Sequence, residues 1–338
     1  MKLGIIGLPG SGKTTIFEAL TQNTSDTGNK SENRIAAVQV PDKRVDLLRN
    51  MYQPLKTVYA QVEFFLPGSG LPGPNIWNQV RDCHALIHVV RNFRGYSFEE
   101  PEPYKDFQKI DQEMIFDDLM VVEKRMERIE LDKKRGKKIE PSELALLNEC
   151  QKKLENDFPL RKSSDLAFAP QLKGFAFVSA KPMLVLFNNQ DEDDKIPDSG
   201  ESTFAEDCMV IRGQLEQELA QMSEKEAVDF LTEFKITSSA RDRVIKRSYK
   251  ILGLISFFTV GKDEVRAWAI KNNTIALDAA RVIHSDMQRG FIRAEVVSYD
   301  DLIDAGSYQE ARKKGAVRLE GKTYPVQDGD IINFRFNV

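Results

Sequence analysis

The chain has 338 residues, of which 30% are charged, yet its formal net charge at pH 7 is only −4. This length predicts two or three domains. The near-balanced charge excludes a nucleic-acid or membrane partner attracted by net charge alone, so any such surface must be local. The 3 cysteines are scattered and odd in number, which argues against a disulfide framework. No apolar run reaches the length of a membrane span, and we expect a cytoplasmic protein without a signal peptide.

The first feature in the chain is a glycine-rich stretch, Gly-Leu-Pro-Gly-Ser-Gly-Lys-Thr, at residues 7–14. Apolar residues predict a buried strand before it, at 2–6, and a helix after it, at 15–22. Glycines let the backbone wrap an anion, so that successive N–H groups point at a β-phosphate beside the positive end of the helix. Lys13 is expected to reach the β- and γ-phosphates, and Thr14 to offer its hydroxyl to Mg²⁺. The predicted nucleotide contacts are Pro9, Gly10, Ser11, Gly12, Lys13, Thr14 and Thr15.

The segment after this loop is polar at residues 23–33 and lacks an apolar period, which predicts a mobile connection. In a P-loop switch protein this connection presents a threonine to the metal. The hydroxyl residues available for that role are Thr24, Ser25, Thr27 and Ser31. The pattern then predicts a strand at 35–40, a short helix after the Pro-Asp start signal at 41–42, and a second strand at 58–66.

The end of the strand at 58–66 lacks a residue that switch enzymes use. Such enzymes end this strand with an aspartate followed shortly by a glycine, because the carboxylate holds the Mg²⁺ shell and the glycine N–H senses the γ-phosphate. This chain has Leu66, Pro67 and Gly68 instead. The nearest acid, Glu63, lies in an alternating pattern that favours a solvent-facing strand position over a metal ligand.

Three further apolar runs predict strands of the same sheet, at 85–90, 183–187 and 209–211. His84 precedes the first of them and His88 lies within it. Neither histidine has a metal-binding neighbour in the sequence, so a structural or solvent-facing role is favoured for both.

From residue 111 the apolar period changes to a heptad, which predicts a coiled-coil seam. The first seam has Ile115, Leu119, Val122, Met126 and Ile129, and the second has Leu144, Leu147, Leu154 and Phe158 with Gln151 at one core step. Two helices of similar length joined by a short loop predict an antiparallel arm of about 30 Å. Five basic residues occupy its tip, namely Lys133, Lys134, Arg135, Lys137 and Lys138. They either keep a solvated turn soluble or contact a phosphate backbone, most simply that of RNA.

The strand at 183–187 runs into Asn188, and an acid, Asp191, follows three residues later. P-loop switch proteins read the base with this pattern, since the carboxylate accepts from ring N–H groups and the amide ties the site to the phosphate loop. Asn188 with Asp191 is the first choice for the base site. Asn189 with Glu192 is a second register that the sequence leaves open.

The C-terminal part has strand composition at 257–260, 265–270, 292–297 and 331–336, and helical patterns at 276–283 and 308–313. Strands and single helices without a parallel βαβ rhythm predict a small α+β unit. Arg293 and Arg335 are candidates for partner contacts there, but they fit equally well as ordinary strand-face residues.

Several phrases of the chain resemble the YchF family of Obg-related P-loop ATPases/GTPases. Before Arg243 they are Gly-Leu-Pro in the phosphate loop, Val-Pro-Asp at 40–42, Val-Glu-Lys-Arg at 122–125, Lys-Pro at 181–182 and Leu-Glu-Gln-Glu-Leu at 215–219. After Arg243 the resemblance is densest, in runs at 261–268, 290–297 and 326–338. It spans the whole chain and is patchy in the switch regions.

The resemblance implies a fold class and a division into parts. It implies an α/β P-loop NTPase sheet, similar to a G domain, with an antiparallel coiled-coil helical insertion and a C-terminal α+β domain of the β-grasp (TGS) type. The implied parts are a nucleotide-binding domain at 1–108, a helical arm at 109–165, the second part of the nucleotide-binding domain at 166–252 and a TGS-like domain at 253–338.

The resemblance also implies a function. Members of this family bind purine nucleotides, typically prefer ATP over GTP, hydrolyse them slowly and associate with ribosomes. The implied cofactors are therefore ATP or GTP with Mg²⁺, and the implied metal contact is Thr14. The implied partner is the ribosome or RNA, through the basic tip of the arm and the TGS-like domain, with no membrane partner and no DNA specificity.

Departures from the family pattern bear on hydrolysis. The segment with the metal-facing threonine is deleted between Asn33 and Ala36, Leu66 replaces the metal-shell aspartate, and residues 212–214 read Arg-Gly-Gln where the family has Ser/Cys-Ala-Lys. The family also usually has glutamate at the position of Asp191. The expected function is a slow ATPase, or alternatively a nucleotide-binding interaction module with little hydrolysis. A P-loop kinase is disfavoured because the chain has no lid-like arginine cluster, and no catalytic residue is assigned.

Overall fold

The computed structural model describes residues 1–22, 32–68, 75–95, 99–198, 204–233 and 239–337. Its strands are β1 (Lys2–Ile6), β2 (Arg34–Gln39), β3 (Lys56–Val58), β4 (Gln61–Leu66), β5 (Ala85–Asn92), β6 (Met183–Asn189), β7 (Asp207–Ile211), β8 (Leu254–Val260), β9 (Glu264–Lys271), β10 (Phe291–Ser298), β11 (Arg318–Glu320) and β12 (Asp330–Phe336). Its α-helices are α1 (Lys13–Thr21), α2 (Lys43–Tyr52), α3 (Asn75–Val80), α4 (Pro103–Lys134), α5 (Pro141–Leu154), α6 (Ser164–Ala167), α7 (Gly213–Gln221), α8 (Glu224–Glu233), α9 (Ala240–Ile251), α10 (Ala276–Ile283), α11 (Ser285–Arg289), α12 (Tyr299–Ala305) and α13 (Tyr308–Lys313). Short 3-10 helices lie at Leu160–Lys162 and Pro170–Phe175.

The chain forms two compact units. The first comprises Met1–Ala37 and Glu63–Val244, and the second comprises Val38–Val62 and Ile245–Val338. The sequence assigns residues 38–62 to the nucleotide-binding domain, but they group with the second unit because β3 pairs in parallel with β9. The single strand predicted at 58–66 is wrong for the same reason, since β3 and β4 enter different sheets. The division into four domains stays a prediction.

The sheet of the first unit has the strand order β2-β4-β1-β5-β6-β7. β1 pairs in parallel with β4 and β5, and β6 pairs in parallel with β5 and β7. The strands predicted at 2–6, 85–90 and 183–187 are confirmed, and their apolar runs are buried as a parallel sheet requires. Because the carboxyl ends of parallel strands meet at one edge, the loop after β1 lies near the residues after β6.

The helical arm in the first unit consists of α4 and α5. α4 has 32 residues and α5 has 14, so the prediction of two helices of similar length is wrong. Their seam holds predicted residues Ile115, Val122, Ile129, Leu147 and Leu154. Across the seam Arg125 donates two bonds to Glu143, at 2.7 Å from Nε to Oε1 and 2.9 Å from Nη2 to Oε2. No helix in the described ranges, α4 included, is both long and apolar enough to cross a membrane.

One core position of α5 differs from the prediction. The heptad pattern predicts Gln151 at a core step, but Cys150 is the fully buried residue. Gln151 is half-buried and its amide donates to Glu155 at 2.9 Å. Neighbouring residues of an α-helix point about 100° apart. With the core position at Cys150 instead of Gln151, the buried face of α5 is rotated by that angle, and an apolar thiol replaces a polar amide in the core.

The base of the arm is anchored by buried charges. The Arg161 guanidinium pairs with Asp111 of α4 at 2.6 Å and with Glu206 at 2.7 Å. The buried Asp118 carboxylate accepts from the backbone N–H groups at 178 and 179, at 2.9 Å and 2.7 Å, and burial raises the pKa of Asp118 to about 6. These bonds fix α4 to the segment that leads into β6, the strand that carries the predicted base site.

The sheet of the second unit has the order β11-β10-β12-β8-β9-β3. β8 pairs antiparallel with β9, β10 pairs antiparallel with β11 and β12, and β12 pairs in parallel with β8. α10 packs on one face, where Ala280 lies against a cluster that includes Phe257 and Ile332. A sheet in which β12 pairs in parallel with β8 of the β8–β9 hairpin, with a helix across one face, is the β-grasp arrangement that the resemblance implies. The helices predicted at 276–283 and 308–313 are confirmed, whereas α11, α12 and β11 are not predicted.

Candidate nucleotide-binding site

The loop between β1 and α1 has the conformation that its glycines allow. Gly7, Gly10 and Gly12 have positive φ angles of 147°, 79° and 90°. A side chain at Gly7 would place its Cβ 2.3 Å from the carbonyl oxygen of Val89, and one at Gly12 would place it 2.3 Å from Nδ2 of Asn188. At Gly7 and Gly12, glycine is therefore required both by the positive φ angle and by the close approach of neighbouring atoms. α1 begins directly at Lys13, so its N-terminal end faces into the loop.

Lys13 folds back into the loop. Its Nζ donates to the carbonyl oxygen of Gly7 at 2.9 Å and to that of Leu8 at 2.7 Å. Burial lowers the pKa of Lys13 to about 8. The buried Ser11 hydroxyl has no hydrogen-bond partner among the described residues, while Thr14 is exposed in the first turn of α1. The loop thus holds one positive charge and an unused hydroxyl where phosphate oxygens are expected.

Asn188 joins the phosphate loop to the start of α7. Its Nδ2 donates to the carbonyl oxygen of Ser11 at 3.1 Å, and its Oδ1 accepts from the backbone N–H of Gly213 at 3.0 Å. The side chain is buried between Gly12 and Gly213, where a Cβ at Gly213 would lie 2.7 Å from its Oδ1. The nitrogen and the oxygen of the Asn188 amide are therefore both hydrogen-bonded, and we call this link between the phosphate loop and α7 the tether.

Asp191 lies beside the same tether. Its Oδ1 accepts from the backbone N–H of Leu215 at 3.3 Å, and its carbonyl oxygen accepts from the Arg212 guanidinium at 3.1 Å. Oδ2 of Asp191 takes part in no hydrogen bond within the described part of the chain. The carboxylate lies near the N-terminal end of α7, and one of its oxygens is left for a ligand.

Asn189 and Glu192, the second register for the base site, form no hydrogen bond with the phosphate loop among the described residues. Asn189 accepts from Nδ2 of Asn92 at 3.0 Å and donates to the carbonyl oxygen of Lys195 at 2.7 Å. Glu192 is exposed. The structure thus brings Asn188, rather than Asn189, to the phosphate loop, and Asp191 to the start of α7, which Asn188 also contacts.

The switch side of the site has no carboxylate at the end of β4. Leu66 is 6% exposed, and the Gly68 N–H donates to Oδ1 of Asn33 at 2.8 Å. Glu63 is exposed on the strand, as predicted. The candidate metal-facing residues Thr24, Ser25, Thr27 and Ser31 lie outside the described residues. The bond from Gly68 to Asn33 escapes sequence reasoning because Asn33 belongs to no motif and lies 35 residues earlier in the chain.

The two histidines near the sheet serve structure. His88 is 1% exposed and stacks on Phe107 at 5.4 Å between ring centroids. Burial lowers the pKa of His88 to about 3, so the imidazole is neutral. Nδ1 of His84 accepts from the backbone N–H of Lys2 at 3.2 Å. These contacts agree with the structural roles that the sequence favours.

The basic tip of the arm is exposed. α4 ends at Lys134, and Gly136 with φ of 75° makes the turn that follows. All five predicted basic side chains are exposed, and Lys137 pairs with Asp132 at 2.7 Å. Four cations, Lys133, Lys134, Arg135 and Lys138, form no ion pair within the described ranges.

Comparison with curated proteins gives full-length relatives. The chain is 36% identical over 363 residues to a Bacillus subtilis protein named "Ribosome-binding ATPase YchF", with 99% of both chains covered. It is 34% identical over 359 residues to a Buchnera aphidicola protein of the same name, with 100% of this chain and 99% of the relative covered. A family model, YchF-GTPase_C, described as "Protein of unknown function (DUF933)", matches residues 254–337.

Solved structures share the fold. The structure of the Schizosaccharomyces pombe YchF GTPase is 27% identical and superposes with a TM-score of 0.84, covering 99% of this chain and 97% of that one. A GTP binding protein from Pyrococcus horikoshii, 17% identical, has a TM-score of 0.57 with both chains fully covered and supports the fold alone. The length and identity of the curated matches show that this chain belongs to the YchF family.

Proposed function

We propose that the protein binds a purine nucleoside triphosphate with Mg²⁺ in the loop at 7–14, hydrolyses it slowly and associates with ribosomes. The observation that carries this proposal is the junction at Ser11, whose carbonyl oxygen accepts from Asn188 while Lys13 lies inside the same loop. One tether thereby links the phosphate and base ends of a single site. Relatives named ribosome-binding ATPases and a YchF GTPase structure support the activity and the partner.

The loop residues suit a chain of phosphates. The backbone N–H groups at the start of α1 provide a partial positive charge for an anion. Lys13 can exchange its two carbonyl partners for phosphate oxygens, because an anionic acceptor attracts the ammonium group more strongly than a neutral carbonyl does. The unpartnered Ser11 hydroxyl supplies a further donor.

Thr14 is the residue that would hold Mg²⁺. Within the described ranges, no group of three or more histidine, cysteine, aspartate or glutamate side chains could hold a metal ion. Mg²⁺ keeps several waters and commonly binds through few protein ligands and the phosphates of its substrate. A hydroxyl at the first turn of α1 fits that mode, in which the ion neutralises phosphate charge when it is bound.

Slow turnover follows from the switch side. An aspartate at the end of β4 would hold the metal shell, and a free glycine N–H would contact the γ-phosphate. Here the strand ends in buried Leu66, and the Gly68 N–H is engaged by Asn33. The same two observations favour the alternative function, a nucleotide-binding interaction module with little hydrolysis. Turnover that depends on Lys13 separates the two functions, since the interaction module predicts nucleotide binding without turnover.

We expect ATP to bind about tenfold more tightly than GTP. Adenine presents one exocyclic N–H donor to Oδ2 of Asp191, whereas guanine presents two adjacent donors and needs both carboxylate oxygens, and Oδ1 would then have to accept from guanine and from the Leu215 N–H at once. A hydrogen bond to a charged group contributes about 1.5–3 kcal/mol, and weakening one by about 1.4 kcal/mol is a factor of ten. Competition titration of the two nucleotides measures this ratio. Tighter binding of GTP would refute the base assignment.

Neutralising the tip of the arm is expected to weaken ribosome association and its salt dependence. The variant changes to glutamine the four cations that form no ion pair with the described residues, namely Lys133, Lys134, Arg135 and Lys138. Each phosphate contact on single-stranded nucleic acid contributes about 0.7 to the slope of log affinity against log salt, so the slope should fall by up to about 3. Co-sedimentation with ribosomes at several salt concentrations measures both quantities.

A matched control changes four other exposed cations on the same helices to glutamine, namely Lys109, Lys124, Arg128 and Lys152. It removes the same charge from the arm and leaves the tip intact. If the two variants lose the same affinity, net charge rather than the tip drives association. If the tip variant pellets like the unchanged protein, the arm does not contact the ribosome.

A further inference from the structure

The second unit contains a cavity of about 700 Å³, which we call the notch. It lies beside the end of the β8–β9 hairpin and the last residues of β12, and its volume is in the range of small-ligand sites. The aromatic residues in its wall are Tyr52, Trp268, Tyr308, Phe334 and Phe336. Phe336 is 41% exposed, which is high for an aromatic ring at the end of a strand. Such a wall suits a flat, unsaturated ligand group.

The notch arises where two strands end at different places. β12 pairs with β10 as far as Phe336, but its parallel pairing with β8 is at Ile331 and Phe258. β12 therefore runs on past the end of β8, and the space beside its last residues is open. The indole of Trp268 is covered by the Arg266 guanidinium at 4.0 Å, so Trp268 forms a wall of the notch and leaves stacking to Phe336 and the tyrosines.

Polar groups of the notch are available to a ligand. The buried hydroxyl of Tyr52 has no hydrogen-bond partner among the described residues. Native proteins pair most buried polar atoms, so an unpaired donor in a cavity wall indicates a missing partner. Asn333 also lines the notch; one N–H of its amide donates to Glu295, and the second N–H and the carbonyl oxygen have no partner among the described residues. A base edge, which carries several donors and acceptors, can use both groups.

Arginines lie next to the notch. Asn333 and Tyr308 donate to the buried Glu295 carboxylate at 3.3 Å and 3.2 Å, and the same carboxylate pairs with Arg335 and with Arg312. The Glu295 carboxylate thus holds two guanidinium groups next to the notch, because Asn333 and Tyr308, which line the notch, donate to the same carboxylate. The negative charge in the notch wall itself, on Glu264, is offset by two further cations within 4.0 Å.

The strand register adds a third arginine. Arg293 and Arg335 are directly opposite each other on β10 and β12, and both are exposed. Like charges in this position destabilise a sheet. Glu295 pairs with Arg335 and Arg312, and Arg293 forms no ion pair within the described part of the chain, so its charge is uncompensated opposite Arg335. A polyanion that binds across this surface relieves the repulsion.

We propose that the notch binds an unpaired nucleotide of single-stranded RNA, with its base against the aromatic wall and the flanking phosphates on Arg293, Arg312 and Arg335. Unpaired bases are recognised by stacking on aromatic side chains and by hydrogen bonds to their edges, whereas bases in an A-form duplex stay stacked. The charge excess selects a polyanion over an apolar peptide. This inference goes beyond the proposed function and rests on it only for the ribosome as the source of the RNA.

The test uses the full-length protein and a short fluorescent single-stranded RNA, with the duplex of the same sequence as comparison. Phe336→Ala should weaken binding of the single strand about fivefold or more, the range measured for stacked bases. Arg335→Gln should reduce the salt slope by about 0.7. Phe168→Ala, which removes an aromatic ring that is 77% exposed in the first unit, is the matched control and should change neither quantity.

A spectroscopic readout guards against misfolded variants. The chain has 2 tryptophans, so Trp77→Phe leaves Trp268 as the only one, and its emission should change when the single strand binds. Tyr52→Phe, which removes one hydroxyl without a cavity, should still lower affinity. Equal binding of duplex and single strand, unchanged affinity of Phe336→Ala, or competition by an acidic peptide but not by RNA would each overturn the proposal.

The outcomes separate this inference from the proposed function. If the protein sediments with ribosomes but the notch variants bind RNA normally, the notch proposal fails and the proposed function stands. If the notch variants lose RNA affinity while the protein never sediments with ribosomes, the notch binds RNA of another source and the proposed partner is wrong. Nucleotide affinity should stay unchanged in every notch variant.

Discussion

Lys13→Ala should reduce nucleotide affinity by at least a hundredfold and abolish turnover. Lys13 is the cation inside the phosphate loop, where its Nζ lies 2.9 Å and 2.7 Å from two carbonyl oxygens of the loop. Charge-assisted hydrogen bonds contribute about 1.5–3 kcal/mol each, and about 1.4 kcal/mol corresponds to tenfold in affinity. Alanine leaves the backbone N–H groups and the end of α1 in place, so residual weak binding is compatible with the proposal.

Calorimetric titration with ATP and Mg²⁺ measures this loss. The matched control is Lys195→Ala, which removes an exposed lysine from the loop after β6. It should bind like the unchanged protein. Nucleotide binding that survives intact in Lys13→Ala would remove the phosphate loop from the site, and rapid turnover typical of metabolic ATPases in the unchanged protein would contradict the altered switch side.

The pKa of Lys13 adds a pH dependence with a defined sign. In the free protein burial lowers it to about 8 from 10.5. The unfolded chain therefore binds more protons than the folded one between these values, so this group raises the free energy of unfolding as pH rises through that window. Phosphate oxygens favour the charged form, so nucleotide binding near pH 9 should take up close to one proton and near pH 6.5 close to none. Titration in buffers of different ionisation enthalpy counts these protons, and uptake that is equal at both pH values would refute the assignment.

Local patterns in the sequence were sufficient where one segment determines the structure. The glycine spacing at 7–14 requires its own backbone conformation, and the end of a buried strand makes Asn188 the first choice while it leaves Asn189 with Glu192 open. Which sheet β3 joins depends instead on β9, about 200 residues later in the chain. An alternating apolar pattern does not show which strand will be its partner. The assignment of 38–62 to a unit could not be predicted for that reason.

Single contacts between distant residues escaped prediction as well. Gly213 is one of many glycines in the sequence, and only the buried Asn188 side chain beside it explains why no Cβ is tolerated there. Asn33 carries no motif, although its hydrogen bond with Gly68 occupies the N–H group that a switch protein keeps for its ligand. The notch requires knowledge of where β8 ends relative to β12, which is a property of the folded sheet.

Gly213→Ala should lower nucleotide affinity about tenfold by displacing Asn188. Gly213 begins α7, where alanine is intrinsically better than glycine by about 1 kcal/mol, so helix propensity alone favours the change. The new Cβ would lie 2.7 Å from Oδ1 of Asn188 and 2.9 Å from Cδ1 of Ile16, so both side chains must move. Moving Asn188 breaks its bonds to Ser11 and to Gly213, and a lost buried hydrogen bond costs about 1–3 kcal/mol.

A double-mutant cycle identifies the tether as the cause. If Gly213→Ala acts through Asn188, then Asn188→Ala removes that clash and leaves only the contact with Ile16, and the double variant should lose little more affinity than Asn188→Ala alone. Gly174→Ala is the control for a glycine with space, since a Cβ there meets no atom within 4 Å. Losses that add in the double variant would show that the two residues act independently, and the link between the phosphate loop and the start of α7 would then play no part in binding.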